Sequence, residues 1–419
     1  MRSAFLIAWR ALWRGKSLWM FFLAVAAIHV FLRGLVRSDG TQAGEFEMTV
    51  RVVCGTVFAI VCISALSIGG GMFAKERENE FLPLSIVRPV SAFSLAAGRW
   101  LAVLLLFVCV VFLNAVLLNV FSARSDYSPP DCKVHVSPAL PPVEVSAAQA
   151  MEAFLNDERT PDVVKKSSRS AVLSLLVAKE NERYEIVRPG QESRWPFPVR
   201  GEGPFSVKTR FSTMYSLKAP LNGVFRLGGL SGVVSNNTQA ILEVPLVPSG
   251  DADANTNAPN VLSFCNSGKN DVMLRPRRDI QLLVSGDSFM ANSIRASIEM
   301  VSVAGLFAAF GLFLSAAFSR AVAIFTAVVL FAAAMLAPDA VSQFPDEFNA
   351  TIGEKIGLAI SRTVIMLTSG FSDVNPVSDL ASGRSIPWAD VFQTVLLNLA
   401  LLPSFFLGLA AFLLRRKTR

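Results

Sequence analysis

The chain has 419 residues, of which 52% are hydrophobic and only 17% are charged, and its mean hydropathy is +0.48. A soluble globular protein carries about a quarter charged residues, so this composition excludes an ordinary soluble globule and indicates an integral membrane protein. The formal net charge of +7 raises the alternative of a nucleic-acid-binding protein. Residues 122–290 contain 19 Lys and Arg against 18 Asp and Glu, so nearly all of that charge lies in the apolar parts of the chain. Nucleic acid is therefore not an expected partner.

Six segments qualify, or nearly qualify, as membrane spans, which need roughly 20 mostly apolar residues. They are residues 18–36, 50–72, 100–121, 294–318, 321–337 and 391–414. Before the first span, residues 1–16 set apolar and aromatic residues against Arg10 and Arg14, which predicts an interfacial amphipathic helix. We therefore expect an α-helical polytopic membrane protein with six transmembrane helices. Residues 1–121 would contain the first three, and residues 291–419 the last three.

Lys and Arg are concentrated on one side of this six-span arrangement. They flank the N terminus (Arg2, Arg10, Arg14, Lys16), the connector between spans two and three (Lys75, Arg77, Arg88, Arg99) and the C-terminal tail (Arg415, Arg416, Lys417, Arg419). Because positive residues mark the cytoplasmic side, we expect both termini and the connector in the cytoplasm and residues 122–290 outside. This predicts a multi-pass protein of the cytoplasmic membrane, of bacterial type.

Residues 122–290 differ from their flanks and are expected to form a soluble extracytoplasmic domain. Apolar residues have helical spacing at 146–157 and 164–182, and from Trp195 on the period becomes two. The alternating residues are Phe205, Val207, Thr209, Phe211, Thr213, Tyr215 and Leu217, then Leu242, Val244 and Leu246, then Ile280, Leu282 and Val284. Breakers between these runs are Asn222-Gly223, Gly228-Gly229 and Ser249-Gly250. The pattern predicts an α+β domain with an antiparallel, β-sandwich-like arrangement behind a helical lead-in.

The five cysteines leave two readings open. Cys132 and Cys265 are the only pair in the outer domain, and an oxidising compartment would allow them to form one disulfide. Two unpaired buried thiols are the alternative, because sequence separation does not set their distance. Cys54, Cys62 and Cys109 lie in predicted spans, where buried thiols are usually small core residues.

Residues for catalysis are scarce. A P-loop requires Gly-x-x-x-x-Gly-Lys-Ser/Thr, and before the only Gly-Lys-Ser (residues 15–17) Arg10 stands where the first Gly must be. The two histidines, His29 and His135, are too few for a His-rich metal site or a His-based triad. No catalytic residue, cofactor or metal is expected in this chain.

Two ionisable residues accompany span four, Glu299 and Arg320. Such residues are functional candidates when they are truly inside the membrane. Both lie near the predicted ends of the span, so snorkelling of their charged groups to the interface is the simpler expectation.

The connector at residues 75–91 is the most informative segment, because it is charged and Pro-containing between two long apolar runs. Its features are Glu76, Glu78 and Glu80, then Leu82, Leu84 and Ile86, then Pro89, Val90 and Ser91, with Gly98-Arg99 opening the next span. This order resembles the segment after the second span of ABC type-2 exporter permeases, which runs Glu-rich start, Gly-Thr-Leu, leucine ladder, Pro-Val-Ser-Arg and Gly-Lys. Here Glu80 and Phe81 replace Gly-Thr, Ala92 replaces Arg, and Arg99 replaces Lys. Three further features are similar to the same family. They are the amphipathic N-terminal helix, the tight Ser319-Arg320 turn, and a stretch from Phe371 to Pro387 within an outer re-entrant segment near 340–390.

The resemblance implies a transmembrane permease subunit. Its partners would be a separate cytoplasmic ABC ATPase, a second permease subunit that is identical or related, and membrane lipid. The ATP would be bound by the ATPase. The apolar connector residues would enter a groove on the ATPase, and the glutamates would face basic residues on its rim. The alternative is a non-transporting structural or signalling protein whose outer domain binds an envelope component or a partner protein. The connector charges would then be a solvated turn at the membrane edge.

Overall fold

The computed structural model describes residues 1–35, 42–78, 91–123, 132–141, 143–156, 183–198, 204–212, 220–236, 241–249, 260–326 and 375–416, with single residues or pairs between 172 and 180 and residue 329. The chain divides into two compact units. One unit comprises residues 1–132 and 287–419, and its described elements are helices. The other comprises residues 133–286 and contains the strands.

The described helices are, in chain order, α1 (Arg2–Arg14), α2 (Ser17–Leu35), α3 (Gln42–Glu78), α4 (Ala92–Ala123), α5 (Val143–Asn156), α6 (Pro276–Asp279), α7 (Phe289–Ala317), α8 (Pro376–Ala381), α9 (Trp388–Val395) and α10 (Leu402–Arg416). A π-helical segment, Leu396–Leu401, joins α9 to α10. All but α5 and α6 belong to the helical unit.

Four described helical stretches are long and apolar enough to cross a membrane: Glu45–Ala74, Ala92–Phe121, Phe289–Ala317 and Trp388–Arg416. The number rises to five if α1 and α2, bent by 55° with respect to each other, form one broken span. Most of the predicted span 321–337 lies outside the described residues. Its described residues, 321–326 and 329, are helical. The six spans predicted from the sequence are thus not confirmed.

Helix α7 is the central helix of this unit. In its apolar 18-residue window 78% is buried, compared with 44% for the corresponding windows of α3 and α4 and 28% for that of the last span. Its closest neighbour is α3, which it crosses at two glycines. A Cβ on Gly69 would lie 2.6 Å from the carbonyl oxygen of Ala308, and one on Gly311 would lie 2.5 Å from that of Leu66. Glycine at both positions therefore lets the two backbones touch, as in many membrane helix pairs.

The β-rich unit contains ten described strands: β1 (Lys133–Val136), β2 (Glu185–Val187), β3 (Glu192–Pro196), β4 (Phe205–Arg210), β5 (Leu221–Leu227), β6 (Leu230–Asn236), β7 (Ile241–Pro248), β8 (Val261–Asn266), β9 (Val272–Leu274) and β10 (Ile280–Ser285). Eight of them form one sheet in the order β1-β10-β4-β7-β6-β5-β8-β3, and β2 pairs with β9. Every pairing among them is antiparallel, as predicted.

The sheet differs from a sandwich of two separate sheets because β7 joins its two halves. Residues 241–246 of β7 pair with β4, whereas Val247 and Pro248 pair with β6. The halves nevertheless enclose one core. Phe211, which follows β4, has its ring centroid 6.3 Å from that of Phe225 in β5 and 5.4 Å from that of Phe264 in β8. The predicted inward face is correct at Val207, Thr209 and Phe211, which are all buried, while Thr213, Tyr215 and Leu217 lie outside the described residues.

The predicted breakers have different outcomes. Gly228-Gly229 forms the turn between β5 and β6, and Gly228 has a φ of +55°, which favours glycine. Asn222-Gly223 is not a turn but part of β5. A Cβ on Gly223 would lie 2.3 Å from the ring of Phe264, so this glycine makes room for an aromatic side chain. Helix α5 matches the predicted helix at 146–157, and most of the one at 164–182 lies outside the described residues.

Cys132 and Cys265 do not form the disulfide considered above. Cys132 is fully buried in the main apolar cluster of the helical unit, whereas Cys265 lies on β8 of the β-rich unit. Of the two thiols, Cys132 is buried as the alternative to a disulfide predicted, whereas Cys265 is only half-buried.

Candidate coupling site at the base of the connector

The structure describes the two ends of the connector. Glu76 and Glu78 are the third-last and last residues of α3, and only their backbone is described. Glu80, Leu82, Leu84, Ile86, Pro89 and Val90 lie outside the described residues. Their predicted contact with an ATPase therefore stays a prediction, and the functional geometry is that of the residues on either side.

Ser91 begins the described chain after the connector and is exposed. Its hydroxyl oxygen accepts a hydrogen bond from the backbone N–H of Ser94 at 3.1 Å and donates one to the Ser94 hydroxyl at 2.8 Å. A serine in this position satisfies an otherwise unpaired N–H at the start of a helix. Ser91 thus fixes where α4 begins, seven residues before the Gly98-Arg99 pair.

Gly98 is where α1 packs against α4. A Cβ at this position would lie 2.9 Å from the carbonyl oxygen of Met1, the Cβ of Ala4 and the backbone nitrogen of Phe5. Two of these three atoms belong to the backbone, so a larger residue would force the helices apart. The buried side of α1 consists of Ala4, Ala8 and Leu12, and small residues there permit the same close approach.

Arg99 connects α4 to the end of α3. Its guanidinium carbon lies 4.3 Å from the centroid of the Phe73 ring. Both side chains are buried, with exposures of 6% for Arg99 and 1% for Phe73. A guanidinium over an aromatic face is attracted by the negative charge density of the ring, and the attraction grows when water is excluded. Since Phe73 precedes the connector and Arg99 follows it, this contact holds the two ends of the connector together.

Trp100 connects α4 to the central helix. Its indole N–H donates a hydrogen bond of 2.8 Å to the carbonyl oxygen of Gly305 in α7. Gly305 is also close to the π-helical segment, since a Cβ there would lie 2.4 Å from the side chain of Leu399. The hydrogen bond is therefore formed where α4, α7 and the last span come together.

Three consecutive residues, Gly98, Arg99 and Trp100, thus contact three different helices. With Phe73 and Ser91 we call them the connector base. An apolar cluster at this end of the unit draws on α1, α3, α4, α7 and α10 and contains Ala4, Phe73, Ala92, Leu95, Ala96, Ala97, Ala309, Leu312, Ala316, Leu407, Ala410, Ala411 and Leu414. Arg320 is exposed and lies next to Gly71 of α3, as expected for a charge at the end of a span.

Sequence reasoning identified Gly98-Arg99 but missed Phe73 and Trp100. Their roles depend on contacts with residues 26 and 205 positions away in the sequence (99 − 73 and 305 − 100). The available signal was the position of two aromatic residues beside a charged connector, where aromatic side chains with one polar end are favoured.

The stretch before the last span is fastened to α7. The Asn292 side chain donates to the carbonyl oxygen of Arg384 and accepts from the N–H of Ile386, both at 2.8 Å. Arg295 donates to the carbonyl oxygen of Ile386 at 3.0 Å and also pairs with Asp287. Asn375 caps α8 with Pro376 in its first turn, while Phe371 and the rest of the predicted re-entrant segment before it lie outside the described residues.

The β-rich unit contains a cleft of about 370 Å³. Its lining includes Arg183, Tyr184, Glu185 and Arg277. Glu185 accepts a hydrogen bond of 2.9 Å from the indole N–H of Trp195, and the guanidinium of Arg275 lies 5.2 Å from the centroid of the Tyr184 ring. The cleft therefore has one aromatic side chain, Tyr184, and side chains of both charges in its lining. Among the described residues, no group of three or more His, Cys, Asp or Glu side chains could hold a metal ion.

The fold defines a helical multi-pass membrane protein with a separate β-rich unit. Residues 9–137 match the family described as ABC-2 family transporter protein, a range that includes most of α1, all of α2 to α4, the connector and the connector base. The match confirms, over these residues, the resemblance to ABC type-2 permeases. Comparisons with curated proteins and with solved structures gave no match.

Proposed function

We propose that this chain is the permease subunit of an ABC exporter and that a separate cytoplasmic ATPase drives it through the connector. The observation that carries the proposal is the connector base. Gly98, Arg99 and Trp100 tie the end of the connector to α1, α3 and α7, respectively. A segment held at both ends by buried contacts can pass a displacement to the helices that hold it.

The contacts support a definite route for such a displacement. Movement of the connector would act on α3 and α4 together, because the Phe73–Arg99 contact keeps their ends side by side. Trp100 and the Gly69–Gly311 crossing would carry it to α7, since close-packed helices shift as units rather than deform. The connector base would thus turn ATPase closure into rocking of the central span.

The partner surface follows from the chemistry of the connector. Leu82, Leu84 and Ile86 would fill an apolar groove on the ATPase, and Glu76, Glu78 and Glu80 would face basic residues around it. Pro89, Val90 and Ser91 would set the angle at which the connector meets α4. ATP would bind on that partner, and this chain would contribute no catalytic residue.

Two such subunits, identical or related, would enclose a path between them in the cytoplasmic membrane of a bacterium. The excess of Lys and Arg near both termini and in the connector supports a cytoplasmic location for these segments. The β-rich unit would then lie outside. Substrate would move outward when the spans rock.

Co-purification with the cognate ATPase tests this function. Leu84→Asp should abolish co-purification from detergent while leaving membrane insertion intact, because a charge in an apolar groove without a partner costs several kcal/mol. Asn79→Asp adds the same charge to the polar start of the connector and should co-purify like the unmodified chain. Undiminished co-purification of Leu84→Asp would remove the proposal that the connector is the docking element.

The cleft beside Tyr184 favours a second candidate function, in which the β-rich unit binds an envelope component or a partner protein and the helices anchor it. An aromatic side chain with charged groups around it is a common arrangement in binding clefts. This function predicts that no ATPase co-purifies with the unmodified chain, so the same experiment separates the two candidates.

A further inference from the structure

Glu299 is a buried carboxylate on α7, the central helix of the helical unit. It lies well inside α7, and its exposure is only 3%, so its charged group does not snorkel to an interface as the sequence suggested. Within the described part of the chain, no hydrogen bond or ion pair joins the Glu299 carboxylate to another residue. An ionisable side chain buried in a membrane protein without a partner is costly, and such residues are usually functional.

Two described arginines of this unit, Arg295 and Arg384, have partners other than Glu299. Arg295, one helical turn earlier, pairs with Asp287, donates to the carbonyl oxygen of Ile386 and lies 4.9 Å from the centroid of the Trp388 ring. Arg384 lies 3.7 Å from Asp379 and is half-exposed. Neither guanidinium forms an ion pair with Glu299.

Within the part of the chain that the structure describes, the other charged groups that act on Glu299 are acidic. Asp379 of α8 and Asp390 of α9 both interact with it electrostatically, and both repel its negative charge. Each belongs to a different helix packed against α7. Arg295 is balanced by Asp287, and Arg384 lies beside Asp379. The described charged residues around Glu299 thus include more carboxylates than guanidinium groups.

We propose that Glu299 binds the positively charged group of the transported molecule, a protonated amine. This inference rests on the proposed export function and adds the substrate class. A single buried carboxylate suits one positive charge that can donate hydrogen bonds, and the described residues offer no set of three ligands for a metal ion. Asp379 and Asp390 would raise the local concentration of cations and guide them towards Glu299.

The experiment is equilibrium binding of radiolabelled octylamine, which is positively charged at neutral pH, to the full chain in detergent. Octanol, of similar size but uncharged, is the reference ligand. We expect saturable octylamine binding that is at least tenfold tighter than octanol binding. Glu299→Gln should weaken octylamine binding about tenfold and leave octanol binding unchanged.

Glu47→Gln is the matched control, because Glu47 is an exposed carboxylate of α3 that already pairs with Arg51. It should bind octylamine like the unmodified chain. Equal affinity for amine and alcohol in the unmodified chain would overturn the proposal, and so would unchanged amine binding in Glu299→Gln. The amine-to-alcohol comparison needs no variant and decides the matter even if Glu299→Gln misfolds. Because no ATPase is present, failure here is distinct from failure of ATPase co-purification.

Discussion

Arg99 lies over the ring of Phe73, with 4.3 Å between the guanidinium carbon and the ring centroid, and so joins the residues on either side of the connector. Both residues lie outside the connector, residues 75–91. The base can therefore be altered separately from the segment that is proposed to bind the ATPase, and the two roles, docking and transmission, can be tested one at a time.

Phe73→Leu should reduce transmission without preventing docking. The substitution keeps an apolar side chain but removes the ring that attracts Arg99, a loss of about 0.5–2 kcal/mol. We expect the ATPase to co-purify as before, while less transport accompanies each ATP hydrolysed by the complex. Phe112→Leu is the matched control, because Phe112 lies on α4 but is 68% exposed, and it should behave like the unmodified chain. Equal coupling in both variants would contradict a role for the connector base.

Gly98→Val should separate α1 from α4. A side chain at this position meets the backbone of Met1 and Phe5 at 2.9 Å, and overpacking of this kind typically costs 1–3 kcal/mol. We expect a lower melting temperature of the purified chain and easier proteolytic removal of α1. Gly408→Val is the control, since a Cβ on Gly408 would have no atom within 4 Å. If both variants melt at the same temperature, the α1–α4 contact does not stabilise the unit.

The orientation of the chain can be tested with single cysteines, introduced after the five native ones are replaced by serine. The distribution of Lys and Arg predicts that an impermeant thiol reagent labels Ser193→Cys and Asn257→Cys in intact cells. Asn79→Cys and Thr418→Cys should react only after permeabilisation. Labelling of Asn79→Cys in intact cells would contradict a cytoplasmic connector.

Sequence reasoning succeeded where the signal is local. Composition and apolar runs predicted the long helices, and alternation predicted the buried face at Val207, Thr209 and Phe211, because burial on one side of a strand repeats every second residue. It failed where a contact between distant residues decides the structure. The sequence predicted a turn at Gly223, but glycine is required there because the ring of Phe264 leaves no room for a side chain. The sequence placed Cys132 in the outer domain, but its side chain is buried among residues of the helical unit.

The same limit applies to the candidate site. Gly98-Arg99 was recognisable because it resembles a family pattern, whereas the function of each residue depends on what it touches. No local pattern pairs Arg99 with Phe73 or Trp100 with Gly305. Glu299 shows the same limit. Its position near the predicted end of a span favoured a side chain that reaches the membrane interface, but the packing of other helices around α7 buries this side chain.

The β-rich unit should fold when residues 133–286 are expressed alone. Its core contains Val207, Phe211, Phe225, Phe264 and Leu282, all with exposures of 1% or less, and its 154 residues (286 − 133 + 1) are enough for an independent domain. We expect a soluble fragment with a β-rich circular dichroism spectrum and a cooperative melt. Because Cys265 is free and Cys132 is outside the fragment, a reducing agent should leave its melting temperature unchanged, whereas loss of a disulfide typically costs 2–5 kcal/mol. An aggregated fragment, or one without a cooperative transition, would mean that the helical unit or a partner chain completes its core.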